Sequence, residues 1–376
     1  MENETSQTGT VLNAHDPGTE GNPWVIGQPA ARNLGDPEPL PYPTVAEPSI
    51  DQMNGKVFPV FPSYIALEVT NVCNLKCTHC NYRFGVDHYT RDRGFMSHET
   101  FEKAANEAKE NGSPVLMNYD GEPLMHKDYL KFLRHATDLG LVNYFNTNGT
   151  LFTPKFADEL VKFYKGSVFF SVDGDKKWFE TIRIPANYDK VLENISYFLK
   201  ANEQSGWPIT VGISLCNLGQ TAQERKAFLD QWLPRVNYVS MGEVNDKFGT
   251  MISAPMTVMQ PRKRPVCVVP WQTMGVCHNG DVIPCSIYVT RANTANAIMG
   301  NIHEQSLKDI WSGKPMADFR KMVAGKRYAE SYCDKCERWR CQFGFPAVTD
   351  GNVKIERNGF WTTFHNIEKG SLNFRK

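Results

Sequence analysis

The sequence has no surplus of either charge: 41 lysines and arginines face 41 aspartates and glutamates, for a net charge of zero. A chain built mainly to hold nucleic acid or an anionic membrane carries a basic excess, so neither is expected as a partner. Long apolar runs are also missing, none approaching the roughly 18–20 residues a membrane helix needs. The opening stretch MENETSQTGT has neither the basic start nor the apolar core of a signal peptide. A cytoplasmic protein is expected. With no route to an oxidising compartment, ten cysteines in 376 residues read poorly as disulfides and point to metal or cluster binding. Internal repeats are absent as well.

What is present is unevenly spread. Residues 1–62 carry eight acids and two bases, a net of −6, which leaves +6 for the rest. The same stretch holds ten of the 23 prolines, and proline removes backbone donors and fixes φ. An acidic, extended arm over 1–62 is expected, either free or, as the preferred reading, wrapped on the body through Trp24–Ile26 and Val57–Phe61. From residue 63, apolar runs of strand length at 64–69, 115–119, 141–145, 168–172, 209–215 and 236–241 alternate with amphipathic stretches at 98–110, 126–138, 153–164, 187–203 and 221–233. Alternating strands and helices imply a parallel sheet with right-handed crossovers. Six such units suit an incomplete (β/α) barrel with its site at the strand carboxyl ends; a doubly wound open sheet is the competing α/β fold. Residues 246–376 form a shorter cysteine-rich region with one helix near 315–325.

The first expected strand runs into Cys73-Asn-Leu-Lys-Cys77-Thr-His79-Cys80. Three thiols within eight residues converge on one iron–sulfur cube, since soft thiolates select iron–sulfur clusters, zinc or copper(I). A zinc loop borrowing His79 is the alternative. This CxxxCxxC loop after a barrel's first strand resembles the radical S-adenosylmethionine (SAM) superfamily. The resemblance implies a 4Fe–4S cluster on Cys73, Cys77 and Cys80 whose fourth iron binds SAM, with His79 in the position of an aromatic residue near the adenine. Further matches follow in order. Gly121-Glu122-Pro123, with Asp120 in place of a first glycine, is similar to the family's GGEP motif, which meets the methionyl amino group. Asn148, then Ser171 and Asp173, stand at later strand ends where the family binds ribose, carboxylate or substrate.

A second set reads Cys267, Cys277, Gly280-Asp-Val-Ile-Pro-Cys285, Cys333-Asp-Lys-Cys336 and Cys341. It is similar to the SPASM/twitch extensions of radical SAM enzymes, which enclose an auxiliary 4Fe–4S cluster. A fully ligated cluster takes four thiolates, so six candidates provide for one. Cys267, Cys285, Cys333 and Cys336 are the expected ligands, with Cys341 able to replace Cys336 and a four-cysteine zinc site as the alternative. Cys277 reads as a buried apolar side chain. Cys216 ends the fifth strand run and is either a small buried residue or a hydrogen-atom donor, as in radical epimerases.

The resemblance thus implies three segments: the arm (1–62), a radical SAM partial barrel (63–245) and a SPASM/twitch-like domain (246–376). It implies reductive SAM cleavage to a 5′-deoxyadenosyl radical, with a flavodoxin- or ferredoxin-type electron donor as partner. A polar small molecule undergoing dehydrogenation or epimerisation is the expected substrate, a peptide the alternative, and a non-catalytic iron–sulfur or zinc protein the remote one.

Overall fold

The computed structural model describes residues 60–80, 91–243, 264–285, 297–328, 344–358 and 361–370, together with Ser331, Cys333, Asp334, Cys336, Trp339 and Gln342. The expected arm through residue 59, residues 244–263 and Cys341 lie outside them.

Six strands run parallel in sequence order: β1 Tyr64–Leu67, β2 Val115–Leu116, β3 Asn143–Thr147, β4 Ser167–Ser171, β5 Thr210–Asn217 and β6 Tyr238–Glu243. The helices between them are α1 His98–Glu110, α2 Tyr129–Asp138, α3 Pro154–Leu160, α4 Lys176–Ile182, α5 Tyr188–Gln204 and α6 Ala222–Trp232. The chain is α/β, a partial TIM-like barrel followed by C-terminal elements. Most helix starts are written locally. Ser97, Thr153, Asp175, Asn187 and Thr221 each accept a hydrogen bond from the backbone three residues on, which satisfies a donor the first turn leaves open. Thr221 and Glu224 close a full capping box.

Beneath the sheet the core is aromatic. Phe152, Phe170 and Phe198 pack with ring centroids 4.8–5.8 Å apart, and Phe101 stacks on Phe132 at 4.4 Å. These rings are almost wholly buried, and each removes enough apolar surface from water to contribute about 1.5–3 kcal/mol.

The C-terminal region holds more than the one helix expected near 315–325. Its strands are β7 Thr273–Val276, β8 Asp281–Ile283, β9 Gly300–Asn301, β10 Gly344–Asp350, β11 Val353–Asn358 and β12 Trp361–Asn366, with helices α7 Leu307–Ser312 and α8 Lys314–Ala324. β7 pairs parallel to β1 as a seventh parallel strand, and β8 and β9 continue antiparallel beyond it. On the other side β12 pairs antiparallel with β6, followed outward by β11 and β10. Both edges of the six-stranded core are therefore covered by strands from after residue 270. No helix among the described residues is long and apolar enough to cross a membrane.

Candidate active site at the strand carboxyl ends

Two clamps hold the segment that leads out of β1 toward Cys73. On one side Thr70 pairs with Phe95, and the Asn71 carboxamide accepts from the Gly94 amide and donates to the Asp92 carbonyl, each at 2.8 Å. On the other, the Glu122 amide donates to the Val72 carbonyl at 2.9 Å. Gly121 fits between only because it lacks a side chain. Its φ is +72°, and a Cβ there would stand 2.7 Å from both the Thr70 and Val72 carbonyl oxygens. Gly121→Ala is expected to cost about 1–3 kcal/mol in strain and displaced backbone and to weaken SAM binding. Calorimetry of both quantities tests this, and wild-type values would count against it.

The cysteine loop itself is held by the turn after α4: Lys76 and Thr78 donate their amides to the carbonyls of Ile184 (2.6 Å) and Ile182 (2.8 Å). Cys77 is buried, Cys73 and Cys80 half-buried. Burial pushes the Cys73 thiol up to about 12, and Glu122, Cys80 and Cys77 push the same way. Three thiols that repel one another's charge in a desolvated loop form a donor set suited to a cation or a cationic iron–sulfur core.

Glu122 is wholly desolvated, yet its carboxylate accepts from the Thr147 hydroxyl (2.7 Å), the Asn148 amide (2.8 Å) and the Leu124 amide (3.3 Å). Burial outweighs these donors and lifts its pKa to about 7. A folded-state value above the unfolded 4.5 means a stability contribution that is complete below about pH 4.5 and lost as pH rises through about 7. The stability gap between the wild type and Glu122→Gln is therefore expected to narrow over that window. Denaturation at several pH values tests this, and a constant gap counts against it. Asn148 also donates to the Asn74 side chain at 2.9 Å, which ties β3 to the cysteine loop. Ser171 is half-buried beside Ser214, their hydroxyls 3.4 Å apart.

At the end of β4 the structure joins residues that the sequence reading treated separately. Asp173, fully buried with φ +59°, accepts from the Cys216 amide at 2.8 Å and forms an ion pair with Arg183 at 2.6 Å. The ring of His79 approaches the same carboxylate at 3.8 Å, and burial holds the imidazole below its ordinary pKa despite that carboxylate. Cys216 is half-buried here. Desolvation, then Asp173, drives its thiol well above the usual range, with Cys77 and Cys80 close enough to add to the effect. His79, Asp173, Cys216 and the radical-loop thiols share one site.

Arg183 was missed because α4 was missed. Trp178, Phe179 and Ile182 have helical spacing, and reading them as a helix brings the next residue back over Asp173. A second omission is Glu68, directly after β1 and fully buried. It binds Arg91 through two contacts, at 2.5 and 2.7 Å, and His278 at 2.9 Å. An acid inside the apolar run YIALEV was itself the signal, since a buried charge requires partners.

In the C-terminal region, burial drives Cys267 up to about 12, and Cys336 and Cys333 add to it, so these three thiols lie together. Cys285, Cys333 and Cys336 are buried. Cys277 is fully buried; among the charged groups beside it are Glu68 and Arg91. Among the described residues, no three His, Cys, Asp or Glu side chains close on a single metal-ion position.

Comparison with known proteins bears on these residues. The radical SAM superfamily model matches residues 67–231, and that of the SPASM iron–sulfur cluster-binding domain matches residues 267–337. The chain is 31% identical over 143 residues to the AdoMet-dependent heme synthase of Methanosarcina barkeri, covering 38% of this chain and 40% of that protein. It is 24% identical over 335 residues to the tungsten-containing aldehyde ferredoxin oxidoreductase cofactor-modifying protein of Pyrococcus furiosus, covering 74% and 89%. Streptococcus suis SuiB bound to its precursor peptide SuiA superposes with a TM-score of 0.57 at 16% identity, over 71% of this chain and 68% of that one.

A radical SAM domain uses a 4Fe–4S cluster and SAM, and a SPASM domain adds auxiliary iron–sulfur. The residues fit such groups. The donors are soft thiols, Gly121 leaves a backbone cradle that a Cβ would fill, and His79 Nδ1 and Arg183 Nε are buried without a partner among the described residues, as groups that meet a polar ligand would be. The chain carries a radical SAM domain over residues 67–231 and, after it, a SPASM iron–sulfur domain over residues 267–337.

Proposed function

We propose that the protein acts on a polar small molecule, a sugar, aminocyclitol or nucleotide-linked metabolite, and inverts one of its carbon centres. The observation that carries this reading is the position of Cys216, whose backbone amide Asp173 holds at 2.8 Å beside the radical-loop cysteines. Cys73, Cys77 and Cys80 hold the catalytic cluster, and Cys267, Cys285, Cys333 and Cys336 the auxiliary one. When bound, the catalytic cluster and SAM supply methionine and a hydrogen-abstracting 5′-deoxyadenosyl radical.

The chain's own groups do the rest. Glu122, Asn148 and Ser171 line the strand ends that receive SAM. Arg183 compensates the Asp173 charge, and Asp173 fixes the backbone that carries Cys216. Once a substrate carbon has lost its hydrogen atom, the Cys216 S–H bond breaks as a C–H bond forms on the opposite face. The remaining thiyl needs one electron and one proton, the electron from a flavodoxin- or ferredoxin-type donor.

Deuterium is the test. In D2O the product is expected to gain one solvent deuteron, and Cys216→Ala to accumulate oxidised product or to stall after a single turnover. Unaltered product and rate in Cys216→Ala would remove this role. The second reading is a peptide substrate; it is favoured by the 28% identity over 99 residues to the PqqA peptide cyclase of Bradyrhizobium diazoefficiens.

A further inference from the structure

Among the described residues, a fixed cation stands beside the C-terminal thiol set. Arg264, three residues before Cys267, donates from Nη1 to the backbone carbonyls of Cys333 at 2.6 Å and Asp334 at 3.1 Å. Its guanidinium lies 4.2 Å from the centre of the Tyr328 ring and 5.9 Å from that of Trp339. Stacking and the paired carbonyls leave the planar group little freedom to turn.

The Nε–H of this arginine is buried and has no acceptor among the described residues. A buried, unmade hydrogen bond is costly, and an orphaned donor in a native structure calls for a partner. The chemistry of the neighbourhood names one. Cys267 follows the arginine three residues on, the guanidinium rests on the backbone carbonyl of Cys333, and sulfur accepts N–H bonds from cations. Hydrogen bonds and positive charge next to an iron–sulfur group stabilise its more negative, reduced state.

We propose that Arg264 sets the reduction potential of the auxiliary iron–sulfur group, raising it so that the group is poised to accept an electron. This rests on the reading that Cys267, Cys285, Cys333 and Cys336 hold that group. Arg264 is a tuning and positioning residue: it takes no part in hydrogen abstraction.

The test uses the full-length chain, reconstituted anaerobically, in a Cys73→Ala/Cys77→Ala/Cys80→Ala background, so that only auxiliary iron is read. Redox titration followed by electron paramagnetic resonance compares Arg264 with Arg264→Met, Arg264→Gln and Arg264→Lys. Both neutral variants are expected to retain iron and to lower the reduced-to-oxidised ratio at fixed potential about tenfold, a shift of about 59 mV for one electron. Lysine, which keeps the charge, should recover part of it. A neutral variant with full iron and an unchanged potential overturns the proposal. Loss of iron from both neutral variants also overturns it, since Arg264 would then be a structural strut. If the background chain with Arg264 intact binds no iron, the auxiliary-site reading fails instead, which separates the two.

Discussion

Cys77→Ala is expected to bring 5′-deoxyadenosine formation down to background, a loss of more than about 10³-fold given that enzymes accelerate reactions by 10⁶-fold or more. Iron content should fall from about eight to about four per chain, one four-iron cluster of two being lost. Cys77 is the buried member of the trio, and its loop stays anchored by the Lys76 and Thr78 amides on the turn after α4. The substitution therefore removes a ligand while leaving the loop in place, and stability should change far less than activity. Anaerobic reconstitution, iron and sulfide counts and chromatography of 5′-deoxyadenosine after dithionite reduction read all of this. A Cys77→Ala protein that still cleaves SAM at the wild-type rate would sink the assignment.

Arg91→Met is expected to destabilise the fold by about 3–5 kcal/mol, the cost of leaving a buried carboxylate without its partner. Glu68 is inaccessible to solvent, and Arg91 meets it with two nearly parallel contacts. Burial alone would raise the Glu68 pKa, but hydrogen bonds from His278 and Arg91 overcome it and hold the group below its usual range. A lowered folded-state pKa gives a contribution that is present above about pH 4.5 and fades as pH falls through the folded value. The Arg91→Met penalty should shrink in acid accordingly. Glu68→Leu/Arg91→Met should cost less than the two single changes added together, since no charge is left unpaired. Urea denaturation at neutral and acid pH decides it; an Arg91→Met protein within about 1 kcal/mol of wild type would show that the pair contributes little.

The barrel was legible because its signals are local. α1 was read at its actual bounds, His98–Glu110, since Ser97 caps it and its apolar positions recur with helical spacing. The βα alternation, the order of the glycine-containing turns and the cysteine spacings are local as well. What escaped depends on partners distant in sequence. The run Thr273–Val276 is only four residues long, and nothing in it says that it pairs with β1. The hairpin of β10 and β11 does carry a local signal, Asp350-Gly351 between two alternating runs, with Gly351 at φ +54°. Arg183 and Arg264 look like surface cations in sequence. They are site residues only because the fold returns them to Asp173 and to Cys333.

The placement of β7–β9 and β10–β12 on opposite edges of the barrel sheet also bears on how the protein is made. β1 must wait for β7, about 210 residues later, and β6 for β12, about 120 residues later. Pairing across such separations is slow to form, and the barrel emerges from the ribosome with two open edges that can recruit strands from other chains. Anaerobic expression at low temperature, with time for these late strands to arrive, should therefore affect the yield of folded enzyme as much as the iron supply does.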